Sequence, residues 1–130
     1  MAKNVFVKTQ RQWLKRKIKY QFAGGGTALY EAISEAYSFL RQNAPFDKIP
    51  IIVVLSEGGD SHSQLTFQDL LRQIQFDSET SPIRIFTVGY GSPTEKKRLR
   101  EIAETSQGQF YDGTTANIGK KFKAEIANFF

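Results

Sequence analysis

The chain has no cysteine, one histidine, one tryptophan, one methionine and four prolines in 130 residues. Without cysteine it forms no disulfide and no thiolate metal site, although the compartment stays open because many exported bacterial proteins also do without it. No apolar run approaches the roughly 20 residues that a membrane-spanning helix needs, and the start, Met1-Ala2-Lys3-Asn4, meets charge before a signal-peptide core can form. A cytoplasmic location is the default, with export or surface anchoring expected if the sequence is a piece of a longer chain. Acidic residues are also missing from the first thirty positions. Lys3, Lys8, Arg11, Lys15, Arg16, Lys17 and Lys19 all precede Glu31, and this stretch carries the excess behind the formal charge of +5.

What is present is a foldable composition. A hydrophobic fraction of 40%, with eleven phenylalanines, excludes a disordered chain, and the length fits one domain, 1–130, with a basic segment 1–23 ahead of a core 24–130. Val5-Phe6-Val7 is a short strand. Thr9-Gln10-Arg11-Gln12 fits a capping box that opens a helix through Trp13, Leu14, Lys17 and Ile18, but Ile18, Tyr20 and Phe22 also alternate as a strand would. Lys15, Arg16, Lys17 and Lys19 form a basic surface that reads either as a solvated face or as a contact for nucleic acid or an anionic surface, with Trp13 able to stack on a base.

Beyond the glycines 24 to 26, Leu29, Ile33, Ala36, Tyr37 and Leu40 fall on one helical face up to about Gln42. Ile51 to Leu55 is a run of five apolar residues, four of them β-branched, which suits a strand covered on both faces. A helix opening at Leu65-Thr66 and passing Leu70 and Ile74 leads to a second core strand, Ile83 to Val88. A third helix, about Thr94 to Thr105, ends at Gly108, a short strand spans Gln109 to Asp112, and a last helix runs from about Ala116 to Phe129. Alternating helices and strands predict an α/β, Rossmann-like three-layer sandwich: a mostly parallel sheet with helices on both faces.

Two loops carry the candidate chemistry. Gly24-Gly25-Gly26-Thr27 ends in a hydroxyl at a helix start, and Ser56-Glu57-Gly58-Gly59-Asp60 leaves a core strand. In a parallel sheet both reach one edge, where a hard divalent cation could meet oxygen ligands. Thr27 reads equally well as an N-cap, and Asp60 as a helix cap or a partner for loop amides. The glycines make no phosphate loop, since no Gly-Lys-Ser or Gly-Lys-Thr follows them. His62, between Ser61 and Ser63, makes no triad with Asp60, because neighbours in one loop lack the mutual geometry and no Gly-x-Ser-x-Gly elbow occurs. Glu101 and Glu104 are solvated charges. No enzyme activity is expected.

Four stretches in order, Gly25-Gly26-Thr27-Ala28-Leu29-Tyr30-Glu31, Val53-Val54-Leu55-Ser56-Glu57-Gly58-Gly59-Asp60, Ile85-Phe86-Thr87-Val88-Gly89-Tyr90-Gly91 and Gly108-Gln109-Phe110-Tyr111-Asp112, resemble the latter part of a von Willebrand factor type A domain, with the bacterial members the nearest in character. The resemblance implies a protein-binding adhesion or scaffold module with a metal-ion-dependent adhesion site, usually for Mg²⁺. That site is built from an early Asp-x-Ser-x-Ser loop, a threonine and a later aspartate. Thr27 matches the threonine, Glu57 stands where the aspartate is expected, and Asp60 is a substitute in the same loop. No Asp-x-Ser-x-Ser occurs, so the resemblance implies an N-terminally truncated domain whose Mg²⁺ site is incomplete and weak. The alternatives are a basic binder of nucleic acid or an anionic surface through residues 3–19, and a fragment with no function of its own. A protein partner is expected, together with self-association along the edge where a first strand is missing.

Overall fold

A computed structural model describes residues 2–9, 12–21, 28–43, 50–57, 59–60 and 63–126, with 2–9, 12–21, 122, 123, 125 and 126 as backbone. Thr27, the glycines 24 to 26, His62 and the final phenylalanines lie outside these residues. Nine elements follow in chain order: β1 (Ala2–Thr9), β2 (Gln12–Gln21), α1 (Leu29–Asn43), β3 (Ile51–Ser56), α2 (Phe67–Gln73), β4 (Arg84–Gly89), α3 (Pro93–Thr105), β5 (Phe110–Asp112) and α4 (Ile118–Ile126).

The strands form one sheet in the order β2-β1-β3-β4-β5. Strands β3, β4 and β5 run parallel, so the Ile51 and Ile83 segments lie side by side as a parallel layer requires. β1 is antiparallel to both of its neighbours, β2 and β3. The parallel character is thus confined to the later half of the sheet.

The expected helix through Trp13, Leu14, Lys17 and Ile18 is not formed. Those residues belong to strand β2, paired with β1 from Ala2 opposite Gln21 to Thr9 opposite Gln12. The segment carried both periodicities, and the neighbouring apolar strand decided between them: pairing satisfies a whole row of backbone groups that an isolated short helix satisfies only marginally. The basic residues Lys15, Arg16, Lys17 and Lys19 therefore sit on the edge strand of the sheet, with the ladder irregular between Phe6 and Lys8. The flank of β3, where the sequence implied a missing strand, is taken by β1.

Helices cover both faces of the parallel layer. On one side Ile52, Val54 and Ile85 pack with Leu29, Ile33, Tyr37 and Leu40 of α1, Leu70 of α2 and Leu99 and Ile102 of α3. On the other, Ile51, Val53, Phe86, Val88 and Tyr111 form a smaller cluster joined by Ile118 of α4. Alternate residues of β3 and β4 serve opposite faces, which is why both strands read as continuous apolar runs. Each fully buried side chain of this kind contributes about 1.5–3 kcal/mol relative to exposure.

Helix ends are closed by recognisable devices. Thr66 caps α2 through the amide of Asp69, and Ser92 with Glu95 forms a reciprocal capping box at α3, with Pro93 in the first turn. At the far end of α3 the Gly108 amide donates to Ala103 O at 2.8 Å. A side chain on Gly108 would lie 1.9 Å from the Ile85 carbonyl, so glycine is what lets α3 return against β4. Between them, Ser106 Oγ accepts from the Ile85 amide at 2.9 Å, and Thr87 Oγ1 donates to Leu99 O at 2.9 Å, so the buried hydroxyls are satisfied.

Candidate functional site

A parallel layer brings the loops that leave its strands to one edge. Here that rim gathers the loops after β3, β4 and β5 together with the first turn of α1. The register Ser56 opposite Gly89 and Gly89 opposite Asp112 sets the three strand ends level. The ladder continues one step beyond the strands, since the Tyr90 amide donates to Ser56 O at 3.0 Å. The two loops are in close contact: a side chain on Gly91 would lie 2.2 Å from the Glu57 carbonyl oxygen.

Asp60 is the best-anchored acid of the rim. Its Oδ2 accepts from the Tyr30 amide at 2.7 Å and from Ser63 Oγ at 2.6 Å, while Oδ1 accepts from the Ser63 amide at 3.0 Å. Ser63 Oγ in turn accepts from the Glu31 amide at 3.1 Å, and Glu31 Oε2 accepts from the Gln64 amide at 2.9 Å. The first turn of a helix has amides without intrahelical acceptors, and it favours negative charge. Asp60 and Ser63 supply that cap from a loop some thirty residues further along the chain. They occupy the two amides, Tyr30 and Glu31, that an N-cap side chain would ordinarily satisfy; the capping position here falls on Ala28, whose carbonyl accepts the first helical bond and whose side chain has no oxygen.

Glu57 behaves differently. It is exposed and makes no side-chain hydrogen bond or ion pair among the described residues. Beside it stands Tyr90, 46% exposed and the single large hydrophobic side chain open to solvent among the described residues. The Tyr90 ring lies over Gly113 in the turn after β5, where a side chain would come within 2.4 Å of its Cε1. Tyr90 lies in one of the stretches that carry the family resemblance, but sequence reasoning gave it no role; its position one step past an apolar strand is what puts it on the rim.

The third loop is an ion-pair knot. Asp112 accepts from the Thr114 hydroxyl and amide, and Lys96 Nζ approaches its Oδ1 at 2.9 Å. The Thr114 hydroxyl, then Lys96 and the Thr114 amide, hold the Asp112 carboxyl down at about 2, against an ordinary value of 3.8. Beneath the rim, Arg98 Nη1 donates to the Tyr30 hydroxyl at 2.9 Å, and its guanidinium lies 5.1 Å from the centre of the Phe67 ring, joining α1, α2 and α3.

The described residues do not fit a complete Mg²⁺ site. Among them no group of three or more His, Asp or Glu side chains could hold a metal ion. Mg²⁺ requires near-octahedral oxygen coordination, while both oxygens of Asp60 already accept protein hydrogen bonds. Of the two described candidate ligands, Glu57 is the exposed one. No helix among the described residues is long and apolar enough to cross a membrane.

An α/β layer with its loops gathered at one rim, a helix N-terminus set into that rim and apolar strands beneath it, defines a Rossmann-like class of domain. Within that class the family model for the von Willebrand factor type A domain matches residues 4–125, and the chain belongs to that family. Domains of this family are commonly protein-interaction and adhesion modules, and many bind a divalent metal. Neither the curated proteins nor the solved structures searched contain a match to the chain.

Proposed function

We propose that the chain is a non-enzymatic protein-interaction module that receives its partner on the rim formed by the loops after β3, β4 and β5. The observation that carries this reading is the juxtaposition of Glu57, an exposed carboxylate with no partner among the described residues, and the exposed ring of Tyr90, on adjacent loops tied together by the Tyr90 amide and Ser56 O. Aromatic side chains held in place at little entropic cost are the usual anchors of protein contacts. Thr27, Glu57 and Asp60 make up an incomplete Mg²⁺ site, in which Asp60 serves chiefly as the cap of α1.

The test is titration with Mn²⁺ followed by paramagnetic broadening in NMR spectra, with calorimetry for Mg²⁺. Weak binding, with Kd on the order of millimolar, is expected to broaden Glu57, Tyr90 and Gly91 first and to be lost in Glu57→Ala. Micromolar affinity for Mg²⁺ would overturn the incomplete-site reading, and a mapped partner footprint away from these loops would overturn the rim.

A further inference from the structure

We infer that the rim recognises a cationic side chain, an arginine or lysine of a partner protein, held between the Tyr90 ring and the Glu57 carboxylate. The inference deepens the proposed interaction role and rests on it. Among the rim carboxylates, Asp112 is neutralised by Lys96, Glu95 is engaged in the capping box with Ser92, and Asp60 is committed to α1. Glu57 alone of these four makes no bond to another described side chain or amide. Among the described residues its charge meets no counter-charge.

The backbone sets Glu57 alongside an exposed aromatic residue, Tyr90. Ser56 and Gly89 are register partners, and the parallel ladder extends through the Tyr90 amide, so Glu57 and Tyr90 follow as neighbours across the pair. Lateral neighbours in adjacent parallel strands stand about 5 Å apart. The ring is set on Gly113 and remains 46% exposed, so it needs no rearrangement to receive a ligand. A guanidinium stacks on such a ring while donating to a neighbouring carboxylate, a pairing that an ammonium makes less well and a neutral or anionic group not at all. A full octahedral Mg²⁺ site would give the rim positive charge and select a partner carboxylate. With Glu57 exposed and without a partner among the described residues, the selection has the opposite sign.

The test uses the full chain, labelled with ¹⁵N, and four short peptides identical except for one central residue: arginine, lysine, citrulline or glutamate. Amide shifts at Glu57 and at Gly89 to Gly91, with the Tyr90 ring protons, report binding. The arginine peptide is expected to bind weakly, lysine more weakly, and citrulline and glutamate not measurably. Tyr90→Ala should weaken arginine binding by about three- to fivefold while Tyr90→Phe retains it, and Glu57→Gln should weaken it by about two- to fivefold. Thermal melting checks that each variant is folded. Rim shifts confined to the glutamate peptide, and dependent on Mg²⁺, would overturn the inference and leave the rim as the interaction face. No rim shift with any peptide, with or without Mg²⁺, would overturn both.

Discussion

The middle of the parallel layer and the rim above it are built on the same three strands, yet they are held by different forces. In the middle, Ile52, Val54, Ile85 and Phe86 are almost fully removed from water, and their order comes from burial. On the rim, order comes from single hydrogen bonds between charged groups and amides: Asp60 to Tyr30, Glu95 to Ser92, Asp112 to Thr114. Burial is cumulative and non-directional, so the interior tolerates little loss of volume anywhere. The rim depends on a few directed contacts, each removable by itself, and among the described residues Glu57 and Tyr90 stand exposed beside them.

The contrast can be broken most severely from inside. Phe86→Ala removes a ring that is 1% exposed and packed with Ile51, Val53, Val88 and Tyr111, and should cost about 3–5 kcal/mol. Chemical denaturation measures the loss, and a cost below about 1 kcal/mol would mean that this second cluster is loosely packed. At the rim, Asp60→Ala frees the Tyr30 amide and the Ser63 amide and hydroxyl, and is expected to cost about 1–2 kcal/mol. Faster hydrogen exchange at Tyr30 and Glu31, with the β3 and β4 amides unchanged, would show that the loss is local.

The smallest effect concerns Asp112. Its folded carboxyl is lowered to about 2 from 3.8. A depressed folded value contributes stability that is present above the unfolded value and disappears as pH falls from about 4 towards 2. The side chain is exposed, so the contribution is slight and best read by NMR titration of the carboxyl. Thr114→Ala should raise that titration most, with Lys96→Met next, following the order of the causes. An unchanged midpoint in both variants would show that the knot does not persist in solution.

The interior was readable from sequence because its signal is local. The β-branched run Ile51 to Val54 marks a doubly covered strand by itself, and the helical spacing from Leu29 to Leu40 marks α1 without any knowledge of its neighbours. Strand β2 was not decidable on those terms: Trp13, Leu14, Lys17 and Ile18 fit a helical spacing while Ile18, Tyr20 and Phe22 alternate, and only the pairing with β1 selects the strand. The cap of α1 was hidden for a related reason. Asp60 reads as a cap for a following helix or a partner for loop amides; it does accept from the Ser63 amide of its own loop, but the helix it caps precedes it, and nothing in the spacing of residues 30 and 60 announces that contact. Glu57 was found through its motif context, while Tyr90 gained meaning only when the ladder set it beside Glu57.

The clasp between Asp60, Ser63 and the first turn of α1 has a consequence for affinity. Because Asp60 and Ser63 are tethered to the helix before any partner arrives, displacing the loop would strip two helix amides of their acceptors. A partner that docks here finds Asp60 and Ser63 already fixed to the helix, so the entropy of ordering those two residues is not subtracted from its affinity.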